Sequence, residues 1–162
     1  MKMKGYINNF AAHLKDALKI GDGTSLKPSK IEFKHVLLCG LGGSGIGGSI
    51  VTDIISSKVN IPITSSKDYS VPYFVNKHTL VIACSYSGNT EETISALKKC
   101  QKRKAEIAII TSGGKLKDLA EKNSYNKIII PSGGPPRGMF GYAFTELFYM
   151  LHHYKIINNS FI

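Results

Sequence analysis

Three hydroxyl side chains, those of Ser85, Ser87 and Thr90, surround one glycine, Gly88. They come directly after the apolar run 79–84 and before a stretch with helical spacing, so the pattern predicts a strand, a turn and a helix. The N-terminus of a helix presents unpaired N–H groups and the positive end of the helix dipole, and anions bind there. The segment therefore predicts a binding site for one compact dianion, such as a phosphate monoester.

An ordinary helix start is the alternative interpretation of this segment. Asn89 and Glu92 have the spacing of a capping box, in which one side-chain acceptor satisfies the first N–H groups of a helix. Capping gives no reason for the other hydroxyls, and the phosphate interpretation is favoured for that reason.

A glycine-rich loop at 40–45 is the second segment with chemical potential. Its sequence, Gly-Leu-Gly-Gly-Ser-Gly, follows an apolar run and matches the dinucleotide fingerprint G-x-G-x-x-G. The second predicted strand runs into Ser65, Ser66, Lys67 and Asp68, which suits a 2′-phosphate better than an NAD ribose. An NADP site is therefore one alternative, and tight packing without a ligand is another. Neither alternative gives a role to the hydroxyl-rich segment 85–90 as well as to this loop.

A third loop, 131–138, is rich in proline and glycine. Proline fixes φ and glycine permits tight turns, so we expect this loop to have a defined conformation. Arg137 lies at its tip and is one of two arginines, against nineteen lysines. A guanidinium can hold an oxyanion in a fixed, bidentate geometry, which an ammonium cannot. We therefore expect Arg137 to contact a bound anion, and a solvated loop arginine is the alternative.

The elements that must position these loops alternate between strands and helices. A helix is expected at 5–20 and a connector at 21–29, followed by strands at 35–39, 61–64, 80–84, 107–111 and 128–131 and helices at 45–57, 90–103 and 115–123. This alternation predicts an α/β fold, a flavodoxin-like doubly wound five-stranded parallel sheet in the order 2-1-3-4-5 with helices on both faces. In that order the loops after strands one and three converge where ligands bind.

The last helix, expected at 140–151, is apolar on nearly every side. One small sheet can cover only one face of such a helix, so a partner subunit or a further domain is expected to cover Phe140, Phe144, Leu147, Phe148 and Leu151. A homodimer formed through this helix is the prediction.

Composition narrows the classes of function. The 162 residues suit one domain. The net charge of +10 includes a basic cluster at 98–104, but no aromatic residues alternate with these cations, so nucleic-acid binding is not expected. Three cysteines form neither a disulfide framework nor a metal-ligand spacing, and neither a signal peptide nor a membrane span is found. The expectation is a cytoplasmic protein that binds no metal and no membrane.

The three loops together resemble a known family. Gly40-Leu-Gly-Gly-Ser-Gly-Ile, Ser85-Tyr-Ser-Gly-Asn-Thr-Glu-Glu-Thr and Pro135-Pro-Arg-Gly-Met-Phe-Gly-Tyr, in this order, are similar to the first half of the bifunctional phosphoglucose/phosphomannose isomerases. Those enzymes contain two sugar-isomerase (SIS) domains. The resemblance covers residue 5 to the end of the chain and implies an SIS domain at 31–162, preceded by a helix and connector at 1–30.

The resemblance implies a role for each loop. Ser85, Ser87 and Thr90 would hold the phosphate of a sugar phosphate. The sugar chain would lie along Gly42, Gly43 and Ser44. Pro136 and Arg137 would close the site, and Arg137, as the catalytic residue, would stabilise the charge of a cis-enediol intermediate.

The reaction implied is the interconversion of glucose 6-phosphate or mannose 6-phosphate with fructose 6-phosphate, without metal or other cofactor. In this family the glutamate base, the ring-opening histidine and a lysine come from the second SIS domain, which this chain is expected to lack. Glu91, Glu92, His152 and His153 receive no such role. A one-domain SIS isomerase and a non-catalytic sugar-phosphate-binding module remain alternatives.

Overall fold

Five parallel strands form a single sheet in the order β2-β1-β3-β4-β5. This computed structural model describes residues 3–161. The strands are β1 (His35–Cys39), β2 (Ile63–Ser66), β3 (Thr79–Ser85), β4 (Glu106–Thr111) and β5 (Asn126–Ile129). The predicted flavodoxin-like order is confirmed, and β3, at the centre of the sheet, is buried along its whole length. Continuous apolar strands of this kind require cover on both faces.

Helices cover both faces of the sheet. They are α1 (Met3–Asn8), α2 (Phe10–Gly23), α3 (Gly43–Ile55), α4 (Glu91–Lys102), α5 (Gly114–Asn123) and α6 (Phe140–His153), with short 3₁₀ turns at Ser56–Lys58 and Asn159–Phe161. Alternate residues of β3 point to opposite sides, so Leu80 and Ile82 join the core under α2, α3 and α6, whereas Val81 and Ala83 join the core under α4 and α5. The sheet is therefore doubly wound, as predicted.

Most helix and strand boundaries differ from the sequence prediction by one to three residues, and β5 (Asn126–Ile129) begins and ends two residues before the predicted range 128–131. Two of the differences are informative. The first helix is interrupted at Asn9 and its second segment continues to Gly23. Strand β2 begins at Ile63 rather than at residue 61, because Pro62 has no N–H for a ladder and contributes only its carbonyl, which accepts the N–H of Val36.

Helix α6 is covered more completely than its composition suggested. Leu147, Phe148 and Leu151 are buried within the chain itself, whereas Phe140 and Phe144 are half-buried. The reason is that α2 and α3 flank α6 while the sheet lies beneath it, so three sides are covered rather than one. The expectation that Leu147, Phe148 and Leu151 need an external partner is wrong.

The basic cluster at 98–104 contacts the loop between β2 and β3. Lys99 Nζ donates to the carbonyl of Tyr69 at 2.8 Å, and a guanidinium nitrogen of Arg103 donates to the carbonyl of Pro72 at 2.6 Å. Two of the cluster's cations therefore hold a loop in place. Within residues 3–161, no helix is long and apolar enough to cross a membrane, and no group of three or more His, Cys, Asp or Glu side chains is arranged to hold a metal ion.

Candidate functional site

The hydroxyl-rich loop 85–90 joins the end of β3 to the start of α4. Ser85 is the last residue of the strand and is buried, and its Oγ lies 2.7 Å from the Oγ1 of Thr90. Thr90 is the N-cap of α4 and makes no side-chain capping hydrogen bond. Its carbonyl accepts the N–H of Ile94, so the N–H groups of the first turn of α4 face the loop. Two hydroxyls and a helix N-terminus therefore meet at one point.

Gly88 determines the shape of this loop. Its φ of +67° lies in the left-handed region, which glycine adopts without a steric cost. A Cβ added there would overlap the carbonyl oxygen of Gly113, and the carbonyl of Gly88 accepts the N–H of Leu116 at 3.0 Å. The loop 85–90 thus rests directly on the turn between β4 and α5.

Asn89 does not cap α4, so the alternative interpretation of a capping box with Glu92 is wrong. The Asn89 Oδ1 instead accepts the N–H of Lys115 at 3.1 Å, in the first turn of α5, while its Nδ2 donates to the carbonyl of Ser87 at 3.2 Å. The side chain of Ser87 is exposed and its Oγ accepts the N–H of Asn89 at 3.2 Å. Asn89 therefore fixes the loop against α5 and leaves the start of α4 without a side-chain cap.

The glycine-rich loop lies beside the hydroxyl loop because β1 and β3 are neighbours in the sheet. A Cβ on Gly40 would lie 2.9 Å from the carbonyl oxygen of Cys84, so only glycine allows this approach. Burial raises the pKa of the Cys84 thiol to about 11, and a contact with the Ser44 hydroxyl opposes that shift. Gly42, with φ of +59°, is the N-cap of α3.

The third loop completes the cluster. A Cβ on Gly43 would lie 3.8 Å from the carbonyl oxygen of Pro136, and the Tyr86 hydroxyl accepts the N–H of Gly134 at 3.1 Å. Pro136 and Arg137 are exposed, and the guanidinium makes no hydrogen bond or ion pair with residues 3–161. The guanidinium of Arg137 therefore lies exposed beside the hydroxyl loop, and no described side chain or backbone group occupies it.

The fold thus brings the eight predicted substrate-binding residues to one edge of the sheet. They are Gly42, Gly43 and Ser44 in the glycine loop, Ser85, Ser87 and Thr90 in the hydroxyl loop, and Pro136 and Arg137 in the third loop. Their binding roles stay predictions. Glu91 and Glu92 lie in the first turn of α4, next to the hydroxyl loop.

The two histidines of α6 lie elsewhere. His152 and His153 are in the last turn of α6, and the Nε2 of His153 lies 2.8 Å from the carbonyl oxygen of Lys27. The third loop leads into the opposite end of the same helix. Neither histidine is therefore placed to act at the three loops.

The sequence pattern did not single out two aromatic side chains near the site. Tyr86 and Tyr6 contact the third loop, as described below. Glu146 on α6 is fully buried, and neither of its carboxyl oxygens has a hydrogen-bond partner. Burial, with a smaller contribution from Asp22, raises the pKa of Glu146 to about 8. Its spacing along α6 is that of an ordinary helical residue, so the sequence does not indicate that its carboxyl is fully buried.

Comparison with known proteins defines the class. Residues 31–151 match the family model described as "SIS domain", and the chain therefore belongs to the SIS domain family. The resemblance to the bifunctional isomerases is also confirmed. The chain is 43% identical over 141 residues to the bifunctional phosphoglucose/phosphomannose isomerase of Caldicellulosiruptor bescii, which covers 87% of this chain and 42% of that protein.

Two further similarities extend this result. The chain is 40% identical over 114 residues to the D-glucosamine-6-phosphate 4-epimerase of Sulfolobus acidocaldarius, covering 70% of this chain and 36% of that enzyme. A solved structure from Clostridium difficile 630 superimposes with a TM-score of 0.75 at 18% identity, over 99% of this chain and 48% of the other, which shows the shared fold. The chain spans about two fifths of the length of these curated relatives.

Proposed function

We propose that this chain is the sugar-phosphate-binding half of an aldose–ketose isomerase acting between glucose 6-phosphate or mannose 6-phosphate and fructose 6-phosphate. The observation that carries the proposal is the meeting of the Ser85 and Thr90 hydroxyls with the uncapped start of α4. That arrangement suits a phosphate monoester, because N–H groups, hydroxyl donors and the helix dipole all favour a dianion. The 43% identity to a bifunctional isomerase supports the choice of substrate.

The chemistry assigned to each loop follows from its groups. Ser85, Ser87 and Thr90 hold the phosphate. The open backbone of the glycine loop lets the sugar chain approach closely, with Ser44 as a hydroxyl partner. Arg137 stabilises the negative charge that develops when the proton moves between C1 and C2, since preorganised charge is often the largest contribution to catalysis. A guanidinium stays protonated, so Arg137 does not remove that proton.

A sugar-phosphate epimerase is the second candidate. The 40% identity to the D-glucosamine-6-phosphate 4-epimerase favours it, because the matched region of that relative is similar to this chain although its name describes an epimerisation and not an isomerisation. This chain would then bind the sugar phosphate, and catalytic groups outside the matched region would determine which reaction occurs. The dinucleotide hypothesis receives no support from the family match.

Replacing both Ser87 and Thr90 with alanine should weaken the binding of fructose 6-phosphate at least tenfold, about 1.4 kcal/mol. Two hydroxyls that would donate to the phosphate are lost, while the loop keeps its contacts with α5 through the Asn89 Oδ1 and the Gly88 carbonyl. Isothermal titration calorimetry on the purified chain measures the change. The matched control is the double variant of Ser25 and Ser57, two exposed serines far from the loop in sequence. Unchanged affinity in the Ser87/Thr90 variant would refute the site.

Catalysis is tested separately from binding. Adding glucose 6-phosphate, mannose 6-phosphate or D-glucosamine 6-phosphate to the chain and following each by NMR distinguishes the candidates. Appearance of fructose 6-phosphate supports the isomerase, and a new 4-epimer of the amino sugar supports the epimerase. Binding without either product agrees with the binding half of an enzyme whose base lies outside this chain, and also with a non-catalytic module.

We also propose an organisation for the assembly. The SIS domain comprises 31–162, with 1–30 as an accessory helical segment, and the protein works in the reducing cytoplasm, consistent with three free, buried thiols. Homodimerisation through α6 has support from the half-buried Phe140 and Phe144, whose rings stack at 5.4 Å. Beside them α3 exposes an apolar row, Ile46, Ile50 and Ile54.

Sedimentation velocity at tens of micromolar should therefore show a dimer of 17.7 kDa chains. The double variant Phe144→Glu and Ile50→Glu should shift it to the monomer, because two charges would be desolvated at the interface. A Tyr73→Glu variant serves as the control, since Tyr73 is 98% exposed. A wild-type monomer at these concentrations would contradict the dimer.

A further inference from the structure

Tyr86 connects the hydroxyl loop to the third loop. Its backbone carbonyl accepts two hydrogen bonds from Ser112, from the N–H at 3.1 Å and from the Oγ at 2.6 Å. Its hydroxyl accepts the N–H of Gly134 at 3.1 Å, 48 residues further along the chain. The residue between Ser85 and Ser87 is therefore fixed at its backbone by the β4–α5 turn and at its ring tip by the third loop.

Tyr6 supports the third loop from the other side. The carbonyl of Pro135 accepts the N–H groups of Gly138 and Met139 at 2.9 and 3.1 Å, which closes a tight turn with Arg137 at its tip. A Cβ on Gly138 would lie 2.7 Å from the Tyr6 ring, and one on Gly134 would lie 3.1 Å from it. The ring of Tyr6 thus packs directly on the two glycines that flank the turn.

We propose that Tyr86 and Tyr6 are positioning residues, which hold the arginine turn so that Arg137 faces a ligand held by the hydroxyl loop. The inference rests on the proposed function, since it requires that Arg137 meets a bound sugar phosphate. It also gives a role to α1, which lies outside the matched segment 31–151.

The physical reason is preorganisation. Arg137 has no partner among residues 3–161 that would orient its side chain, so its direction depends on the backbone of the turn. A turn held at Gly134 by a hydrogen bond, and at Gly138 by a packed ring, loses little entropy when the guanidinium binds an anion. Because Tyr86 belongs to the hydroxyl loop, the distance between the phosphate site and the turn is fixed by one side chain.

The test compares two ligands on the intact chain. Inorganic phosphate probes the hydroxyl loop alone. 5-Phospho-D-arabinonate adds a carboxylate with the charge of the enediolate, which probes Arg137 as well. Tyr86→Phe should weaken 5-phospho-D-arabinonate about three- to tenfold, the value of one neutral hydrogen bond, and should leave phosphate affinity within about twofold. Tyr6→Ala should likewise weaken 5-phospho-D-arabinonate binding more than phosphate binding.

A double-mutant cycle identifies the route of the effect. In an Arg137→Gln background, Tyr86→Phe should cause no further loss, because the side chain that it positions is gone. Tyr73→Phe, at a fully exposed tyrosine, is the matched control. Equal losses for both ligands, or an undiminished loss in the Arg137→Gln background, would overturn the inference. If the wild type binds phosphate and 5-phospho-D-arabinonate but Tyr86→Phe has no effect, only the inference fails. If the wild type binds neither, the proposed function fails with it.

Discussion

Replacing Glu146 with leucine should stabilise the chain by about 3 kcal/mol at pH 8. Burial raises the pKa of its carboxyl from 4.5 to about 8, so the folded state retains a proton that the unfolded state releases. The side chain is fully buried between α6 and its neighbours, and neither oxygen has a partner. Ionising a buried carboxyl without a partner is among the most costly changes in a folded protein, so the folded state keeps the group protonated.

The surroundings of Glu146 do not offset this cost. Helix α2 presents His13, Asp16 and Asp22 towards α6. Tyr142 donates to Asp16 at 3.0 Å and Tyr149 donates to Asp22 at 2.7 Å, so both nearby carboxylates of α2 are already paired with tyrosines of α6. The charge of Asp22 adds to the effect of burial and further raises the pKa of Glu146.

The sign of the pH dependence follows from the two pKa values. The folded carboxyl keeps its proton up to about pH 8, whereas the unfolded one releases it above about pH 4.5. Between these values the folded state binds more protons, so stability is complete below pH 4.5 and is lost as pH rises towards 8, by up to about 1.4 kcal/mol per pH unit. Glu146→Leu and Glu146→Gln both remove this slope.

Urea unfolding at pH 5, 6, 7 and 8 measures the effect. Glu146→Gln should gain less than Glu146→Leu, because its amide still lacks partners. Glu121→Gln is the matched control. It removes an exposed carboxylate that lies 3.7 Å from the Lys127 ammonium, and the free energy of unfolding should change little. A wild-type stability that stays constant from pH 5.5 to 8 would contradict a buried carboxyl with a raised pKa.

The sequence predicted the sheet because each strand is a short apolar run followed by a turn and a helix. It could not predict how α6 is covered, since that depends on α2 and α3 packing beside it. The five-stranded order depends on local periodicity and on the rule for βαβ units. The cover of Leu147 and Leu151 depends on contacts between elements far apart in the chain.

The candidate site shows the same division. Ser85 and Thr90 were predictable because a strand, a turn and a helix place them at one point. Tyr86 was not, because its hydroxyl meets Gly134, and nothing in the spacing of the two residues indicates that contact. The alternative in which Asn89 caps α4 is wrong for a related reason. Its acceptor can cap either α4 or α5, and the tertiary structure selects α5.

The largest loss of ligand binding is expected from Gly88→Ala, because the change would strain and displace the hydroxyl loop. At φ of +67° an alanine costs about 1 kcal/mol or more, and its Cβ would overlap the carbonyl oxygen of Gly113 and lie 2.8 Å from the Thr111 Oγ1. Both atoms are held in place, since the Thr111 hydroxyl donates to the Gly113 carbonyl at 2.8 Å.

Relief of the overlap requires Gly88 to move away from the β4–α5 turn, which breaks its hydrogen bond from Leu116. We expect about 3 kcal/mol of destabilisation from strain and overpacking, and at least a thirtyfold loss of fructose 6-phosphate affinity, about 2 kcal/mol.

Gly42→Ala is the matched control for stability, because Gly42 has φ of +59° and a Cβ there meets no atom within 4 Å. Urea unfolding of the two variants isolates the cost of the overlap. Equal destabilisation of Gly88→Ala and Gly42→Ala, or sugar-phosphate binding by Gly88→Ala at wild-type affinity, would show that contact with the β4–α5 turn does not hold the loop in its binding shape.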